Sequence, residues 1–167
     1  MKKVLNNNGI LHLKQEKNLL AFNFIYLLSL VCWLGSIIFF SFFVTPVVFK
    51  TLDREKAGEI VGIIFPRYYK LGYVCGALIL LSFMMIGEVG LKWCAWGIMV
   101  LGSGLAGLVI NPKAKKIKEQ LKSLPDNEKS TLETKFKNLH SLSVKLNALV
   151  LFSGLWLLGL TALNFQI

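Results

Sequence analysis

The sequence predicts an all-α fold, an integral membrane four-helix bundle with an amphipathic segment between spans 1 and 2. Three observations carry that expectation. Hydrophobic residues make up 54% of the 167 residues and charged residues only 17%, with a mean hydropathy of +0.59, too apolar for an ordinary soluble domain. Nineteen Lys+Arg nevertheless outnumber nine Asp+Glu, a formal net charge of +10. The two facts are reconciled by sorting: residues 18–49, 71–87, 93–112 and 146–167 contain no Asp, Glu, Lys or Arg. A helix of about 20 apolar residues crosses a hydrocarbon core of about 30 Å, so each uncharged block reads as one span. A soluble enzyme, a disulfide scaffold and a disordered chain are excluded. The cations occupy the connections between spans, so the lipid bilayer is the expected partner and nucleic acid is not.

The elements follow in order. Residues 1–18 are basic and mostly polar, and Ile10, Leu11 and Leu13 beside Lys14 and Lys17 suggest a weakly amphipathic interfacial segment. The apolar stretch behind it is twice a signal-peptide core, and no small-residue cleavage site follows. Residues 19–167 form the single four-span domain. A first helix from Leu19 to Lys50 would be about 48 Å long, so it must tilt or project, and Pro46 offers a kink or an end. The connection at 50–70 carries Lys50, Asp53, Arg54, Glu55, Lys56, Glu59, Arg67 and Lys70. Within it Asp53 stands as an N-cap before Ala57, Ile60, Val61 and Ile64, an amphipathic helical spacing that Pro66 is expected to interrupt. The second span begins near Tyr68 and Tyr69, aromatics suited to an interface. A short turn at 88–92 leads to a third span ending at Asn111-Pro112, after which a helical pattern resumes in the basic run 113–122. The cluster Leu124-Pro125-Asp126-Asn127 marks a turn, and a fourth helix runs from Ser130 to about Asn164.

Alternating spans place the 50–70 and 113–145 segments on one side with 14 of the 19 Lys+Arg. The positive-inside tendency puts those connections in the cytoplasm and both termini outside.

Residues able to carry chemistry are few. On the fourth helix Phe136, His140, Ser143 and Asn147 stand at i, i+4, i+7 and i+11, with Gly154 beyond them. Polar groups entering a membrane turn toward the bundle interior or a hydrated cavity, so His140, Ser143 and Asn147, with Asn111, form the candidate patch for a small solute or metal ion. The competing reading is hydrogen bonding between packed helices. Ser103, Gly107 and Asn111 on the third helix allow close backbone approach. Ser29, Trp33, Ser36, Phe40 and Phe43 on the first read as core, and Gly35 as a point of close helix contact. Glu59 is placed near the His140 end, with a solvated helix face as its bland alternative.

His12 and His140 lie on opposite sides in this topology, so they do not together ligate a haem; a single-His haem protein in electron transfer is the third reading. Cys32, Cys75, Cys94, Met84, Met85 and Met99 are soft ligands suited to copper(I), but their spacing matches no site and they also serve as apolar filler. No disulfide framework, catalytic nucleophile with a base, phosphate loop or zinc motif stands out, and no cofactor is indicated. Four spans without an inverted repeat are too few for a typical monomeric transporter. A homo-oligomer, or an accessory role in a larger membrane complex docking through the eight lysines of 113–137, remains open.

Several motifs recur together: Trp33-Leu34-Gly35, then Phe40, Pro46, Phe49, Leu52, Arg54, Ala57-Gly58 and Phe65-Pro66-x-Tyr68-Tyr69. Asn111-Pro112 follows, then Phe136, Leu139-His140, Ser143 and Asn147. In order and spacing the chain resembles the transmembrane protein 205 family over roughly residues 22–160. The resemblance implies a four-span membrane domain of unknown function, whose vertebrate members are associated with resistance to platinum drugs and whose bacterial members are expected in the plasma membrane. It lends weight to metal handling, and it singles out Trp33, Gly35, Pro46, Phe65, Pro66, Asn111, His140, Ser143 and Asn147.

Overall fold

The computed structural model describes residues 7–125 and 129–164. The first residues of the expected interfacial segment, and Asp126 and Asn127 of the expected turn, lie outside the described residues. Helix α1 (Asn7–Phe39) passes through a π-helical turn (Phe40–Val44) into α2 (Thr45–Thr51). Helix α3 spans Arg54–Ile86. Helix α4 (Leu91–Gly104) passes through a second π-helical turn (Leu105–Ile110) into α5 (Asn111–Ser123), and α6 spans Ser130–Asn164. Among the described residues, four helical stretches are long and apolar enough to cross a membrane: His12–Thr51, Arg54–Ile86, Leu91–Ser123 and Ser130–Leu163. Their order alternates up and down, α1 packs chiefly on α3 and α4 chiefly on α6, and α1–α6 and α3–α4 contacts close the bundle.

The surface is that of a membrane protein. Phe24, Met84, Leu101, Leu108 and Phe152 point outward, each about two-thirds exposed. In water such continuous apolar surface would drive association; facing lipid it is solvated. The core is a column of Leu30, Trp33 and Ile37 from α1, Ile79 and Phe83 from α3, Met99 from α4, and Val150 and Leu157 from α6.

Prolines account for the departures from expectation. Pro46 and Pro112 each stand two residues after the last residue of a π-helical turn. A proline inside an α-helix lacks an N–H and crowds the carbonyl four residues back. Widening the preceding turn relieves that crowding, and the residue before each proline bonds five residues back: Thr45 N–H to Phe40 O, and Asn111 N–H to Ala106 O. The chain therefore kinks locally and continues. The helix itself does not stop at Asn111-Pro112, and the helical pattern of 113–122 is its continuation as α5. Pro66 does not interrupt its segment either: α3 runs straight through it, and the adjacent Ile63 carbonyl accepts from the Arg67 guanidinium at 3.1 Å. The amphipathic segment is thus the first turns of α3, fused to span 2. The polar residues 7–18 likewise continue α1.

Turn chemistry sets the ends of α3. Asp53 occupies the N-cap position and its carbonyl accepts from Ala57 N–H at 2.8 Å, but its carboxylate makes no cap hydrogen bond and lies 3.5 Å from Lys56. Gly87 (φ +74°) ends α3 in the left-handed region and Gly90 (φ +85°) precedes α4, conformations that favour glycine.

At 1.5 Å per residue the 33-residue α3 is about 50 Å long, well beyond the hydrocarbon core. The surplus carries the charge. The start of α3, all of α5 and the start of α6 gather at one end of the bundle as a basic helical projection.

Candidate functional site

Where this projection meets the membrane-spanning part, α3 presents Phe65, Tyr68, Tyr69 and, one turn on, Tyr73. Tyr69 is buried. Its ring lies 5.1 Å from Tyr68 and 5.9 Å from Phe65, and Phe40, the first residue of the first π-helical turn, packs on Phe65 at 5.2 Å and Tyr68 at 5.4 Å. On the other side the second π-helical turn offers Gly107, where an added Cβ would meet Tyr69 Cγ at 2.8 Å and also the Tyr73 hydroxyl. An aromatic segment is thus held between two wide turns, each created by a proline.

Polar contacts complete the layer. The hydroxyls of Tyr69 and Ser143 are 3.2 Å apart, and the Asn147 side chain also interacts with the Tyr69 hydroxyl. Tyr73 donates to the Ser103 carbonyl at 3.3 Å. No buried side-chain nitrogen or oxygen among the described residues lacks a partner. The layer contains no carboxylate or imidazole, so its chemistry is hydrogen bonding between helices.

Of the expected patch, the structure brings together Ser143 and Asn147, both half-buried, around Tyr69. Asn111 is half-buried and closes the second π-helical turn with its backbone N–H. His140 departs from the patch. It is exposed, stacked on Phe136 with ring centroids 6.4 Å apart, because the packed face of α6 runs through Leu139, Ser143, Leu146 and Val150 and leaves His140 on the flank beside exposed Val144. Glu59 does not approach His140: it pairs with Lys122 of α5, both about half exposed. Pro46 and Pro66 are exposed and act through the backbone. Trp33 lies deeper, against Gly72 and Gly76 of α3, whose added Cβ atoms would stand 2.9 Å and 3.2 Å from its ring. Gly35, expected at a close contact, is exposed with nothing within 4 Å of an added Cβ. Phe43 is also exposed, because the π-helical turn rotates the stripe out of the core after Phe40.

Sequence reasoning passed over the helix–helix groove at Gly72 and Gly76, although the Gly-x-x-x-Gly spacing was there to read. It also treated Tyr69 as an interfacial aromatic rather than the hub of the layer. Among the described residues no three of His, Cys, Asp and Glu gather as metal ligands. His12 lies near the start of α1, at the opposite end of the bundle from His140.

If the layer is a packing device, His140→Ala should change stability by less than about 0.5 kcal/mol, whereas Tyr69→Phe should cost about 0.6–2 kcal/mol. Thermal unfolding in detergent reads both, and the reverse order would return His140 to the site.

No solved structure matches the chain. An "Uncharacterized protein" of Aquifex aeolicus (strain VF5) is 40% identical over 75 residues, which are 45% of this chain and 53% of that relative. The chain therefore spans about half of that relative's length. The family described as a domain of unknown function, DUF4149, matches residues 28–123, which contain the Trp33–Gly72–Gly76 contact, both π-helical turns and the whole of α5. That is more than half of the chain, which belongs to the DUF4149 family.

Proposed function

We propose that this chain is a non-enzymatic accessory protein of the plasma membrane that binds anionic lipid headgroups with its basic projection. The observation that carries this reading is the mounting of α5. Ala114, Ile117 and Leu121 turn inward, half-buried, while Lys113, Lys115, Lys116 and Lys122 stay exposed. The helix is fixed to the bundle by contacts with α6, by the Lys122–Glu59 pair and by Lys118 lying over Gly58. A rigid cationic surface at headgroup depth attracts anionic lipid by about 1 kcal/mol per Lys or Arg. The positive-inside tendency places this surface in the cytoplasm.

Replacing Lys113, Lys115 and Lys116 with glutamine should therefore weaken binding of phosphatidylglycerol by up to about a hundredfold, and salt should weaken it in the wild type. Native mass spectrometry of the detergent-purified chain titrated with that lipid measures the effect. Unchanged binding by the triple variant overturns the reading. So does a stoichiometric protein partner that the same substitutions release, which would make the surface a protein dock. Labelling of these lysines on intact cells by a membrane-impermeant amine reagent would overturn the orientation.

Handling of a small solute or metal ion at the α6 patch has weaker support. Its favourable observation is the meeting of Tyr69, Ser143 and Asn147, but those groups already satisfy one another and His140 faces away from them.

A further inference from the structure

The opposite end of the bundle carries an ion pair that neither the aromatic layer nor the basic projection uses. Glu88 and Lys92 sit at the α3–α4 turn, where one uncharged stretch ends and the next begins, which is headgroup depth. Lys92 Nζ and Glu88 Oε2 are 2.7 Å apart, with side chains only 10% and 17% exposed. The pair is held in place: Trp93 Nε1 donates to the Glu88 carbonyl at 2.6 Å, and Trp93 packs on Phe83 and Trp96. Sequestering two charges is costly unless their remaining hydrogen-bonding capacity is used.

One open depression is lined by this pair and a second lies beside it. The first, of about 180 Å³, is lined by Glu88, Val89, Leu91, Lys92 and Leu160. Through Leu160 it adjoins a groove of about 480 Å³ lined by Trp156, Gly159, Leu160, Ala162 and Leu163. The second is an exposed apolar face on the last turns of α6, and from Leu160 it continues one helical turn, about 6 Å, to Trp156 toward the middle of the bundle. The first places both signs of charge at its mouth. A polar depression at the membrane boundary beside an exposed apolar helix face matches the order of headgroup and acyl chain in an amphiphile.

We propose that this is a binding site for a zwitterionic phospholipid of the ethanolamine type. Lys92 has three N–H donors and one is engaged by Glu88, leaving donors for a phosphate. The Glu88 carboxylate accepts from the lipid's ammonium. The first turn of α4 carries no side-chain cap and no acidic residue, so its N–H groups add to the phosphate side. The upper part of one acyl chain lies along Leu160 and Trp156. The arrangement selects against two neighbours in lipid chemistry. An anionic glycerol headgroup offers Glu88 only neutral hydroxyl donors and no cation, and a quaternary choline cannot donate a hydrogen bond to it. The site is independent of the lysine surface at the other end.

The test is native mass spectrometry of the full chain in detergent, offered equal amounts of phosphatidylethanolamine, phosphatidylcholine and phosphatidylglycerol. One phosphatidylethanolamine should be retained per chain, at least about fivefold over phosphatidylcholine. Gly159→Phe should reduce that retention to the same degree. Nothing stands within 4 Å of a Cβ at Gly159, so the new ring fills the groove without disturbing the bundle, and the lipid-free melting temperature should not fall. The paired substitution Glu88→Gln with Lys92→Met, which leaves no unpaired charge, should remove the headgroup preference while acyl binding persists. Lys113→Gln with Lys115→Gln and Lys116→Gln should leave phosphatidylethanolamine retention unchanged, which separates this site from the basic projection. Equal retention of ethanolamine and choline lipids by the wild type, or wild-type retention by Gly159→Phe, overturns the proposal. A dimer that occludes the α6 groove also overturns it. Should the paired variant fail to fold, the Gly159→Phe result decides.

Discussion

Trp33→Ala is expected to be the most damaging single truncation in the bundle, costing about 3–5 kcal/mol. The indole is 2% exposed and lies in the trough that Gly72 and Gly76 cut into α3. Gly76 is enclosed from the other side by Trp96, whose Nε1 donates to the Gly76 carbonyl at 3.0 Å. Between membrane helices there is little hydrophobic drive, because lipid tails are as apolar as the core; association rests on close packing. Removing a large ring from such a seam forfeits contacts that no rearrangement of two glycines can replace. Thermal unfolding of the detergent-solubilised chain measures the loss. A second substitution makes the test specific. Gly72→Leu alone should destabilise by driving a side chain into the indole, but in the Trp33→Ala background it should recover part of the loss, a coupling of about 1–3 kcal/mol. Additive losses in the double variant would mean that the indole and the glycine trough do not support each other.

The Trp33 contact also shows what the sequence conveys and what it withholds. The spans, their number and the sorting of charge depend only on local composition, so they were legible. Which face of each span turns inward was not. In a water-soluble helix the apolar stripe marks the core, but a membrane helix is apolar all round, and lipid-facing and core-facing positions look alike. Gly35 and Gly72 are both glycines beside aromatics, yet one faces outward and the other receives Trp33. His140 shares an approximate stripe with Ser143 and Asn147, and its exclusion depends on a packed face centred toward Leu139 and Leu146. Glu59 finds its partner on a helix more than fifty residues away. The prolines show the same limit. Pro46, Pro66 and Pro112 all read as interruptions, and the structure answers with two wide turns and one uninterrupted helix. A wide turn shifts every later side chain around the axis, so register beyond it cannot be extrapolated from spacing before it.

The wide turn at 105–110 supplies the second large effect, a pair of glycine substitutions of opposite sign three residues apart. Alanine is the better helix former by about 1 kcal/mol, so Gly104→Ala, where nothing lies within 4 Å of the added Cβ, should stabilise the chain by about 0.5–1 kcal/mol. Gly107→Ala gains the same propensity and should still destabilise by about 1–3 kcal/mol. Its Cβ would stand 2.8 Å from Tyr69 Cγ and 3.1 Å from Tyr69 Cβ, and would overlap the Tyr73 hydroxyl. A flexible neighbour would yield, but the Tyr69 ring cannot move without disturbing its packing on Phe65 and Tyr68 and its hydroxyl contact with Ser143. Tyr73 is freer: it is half-buried and held through its hydroxyl on the Ser103 carbonyl. Tyr73→Phe should therefore relieve part of the Gly107→Ala penalty, while the clash with Tyr69 persists. Melting temperatures of the four variants in one detergent decide the matter. Equal shifts for Gly104→Ala and Gly107→Ala would mean that the second π-helical turn is not pressed against Tyr69. The aromatic layer would then lose its link to the turn that leads into α5, and with it the rigid mounting on which the lysine surface depends.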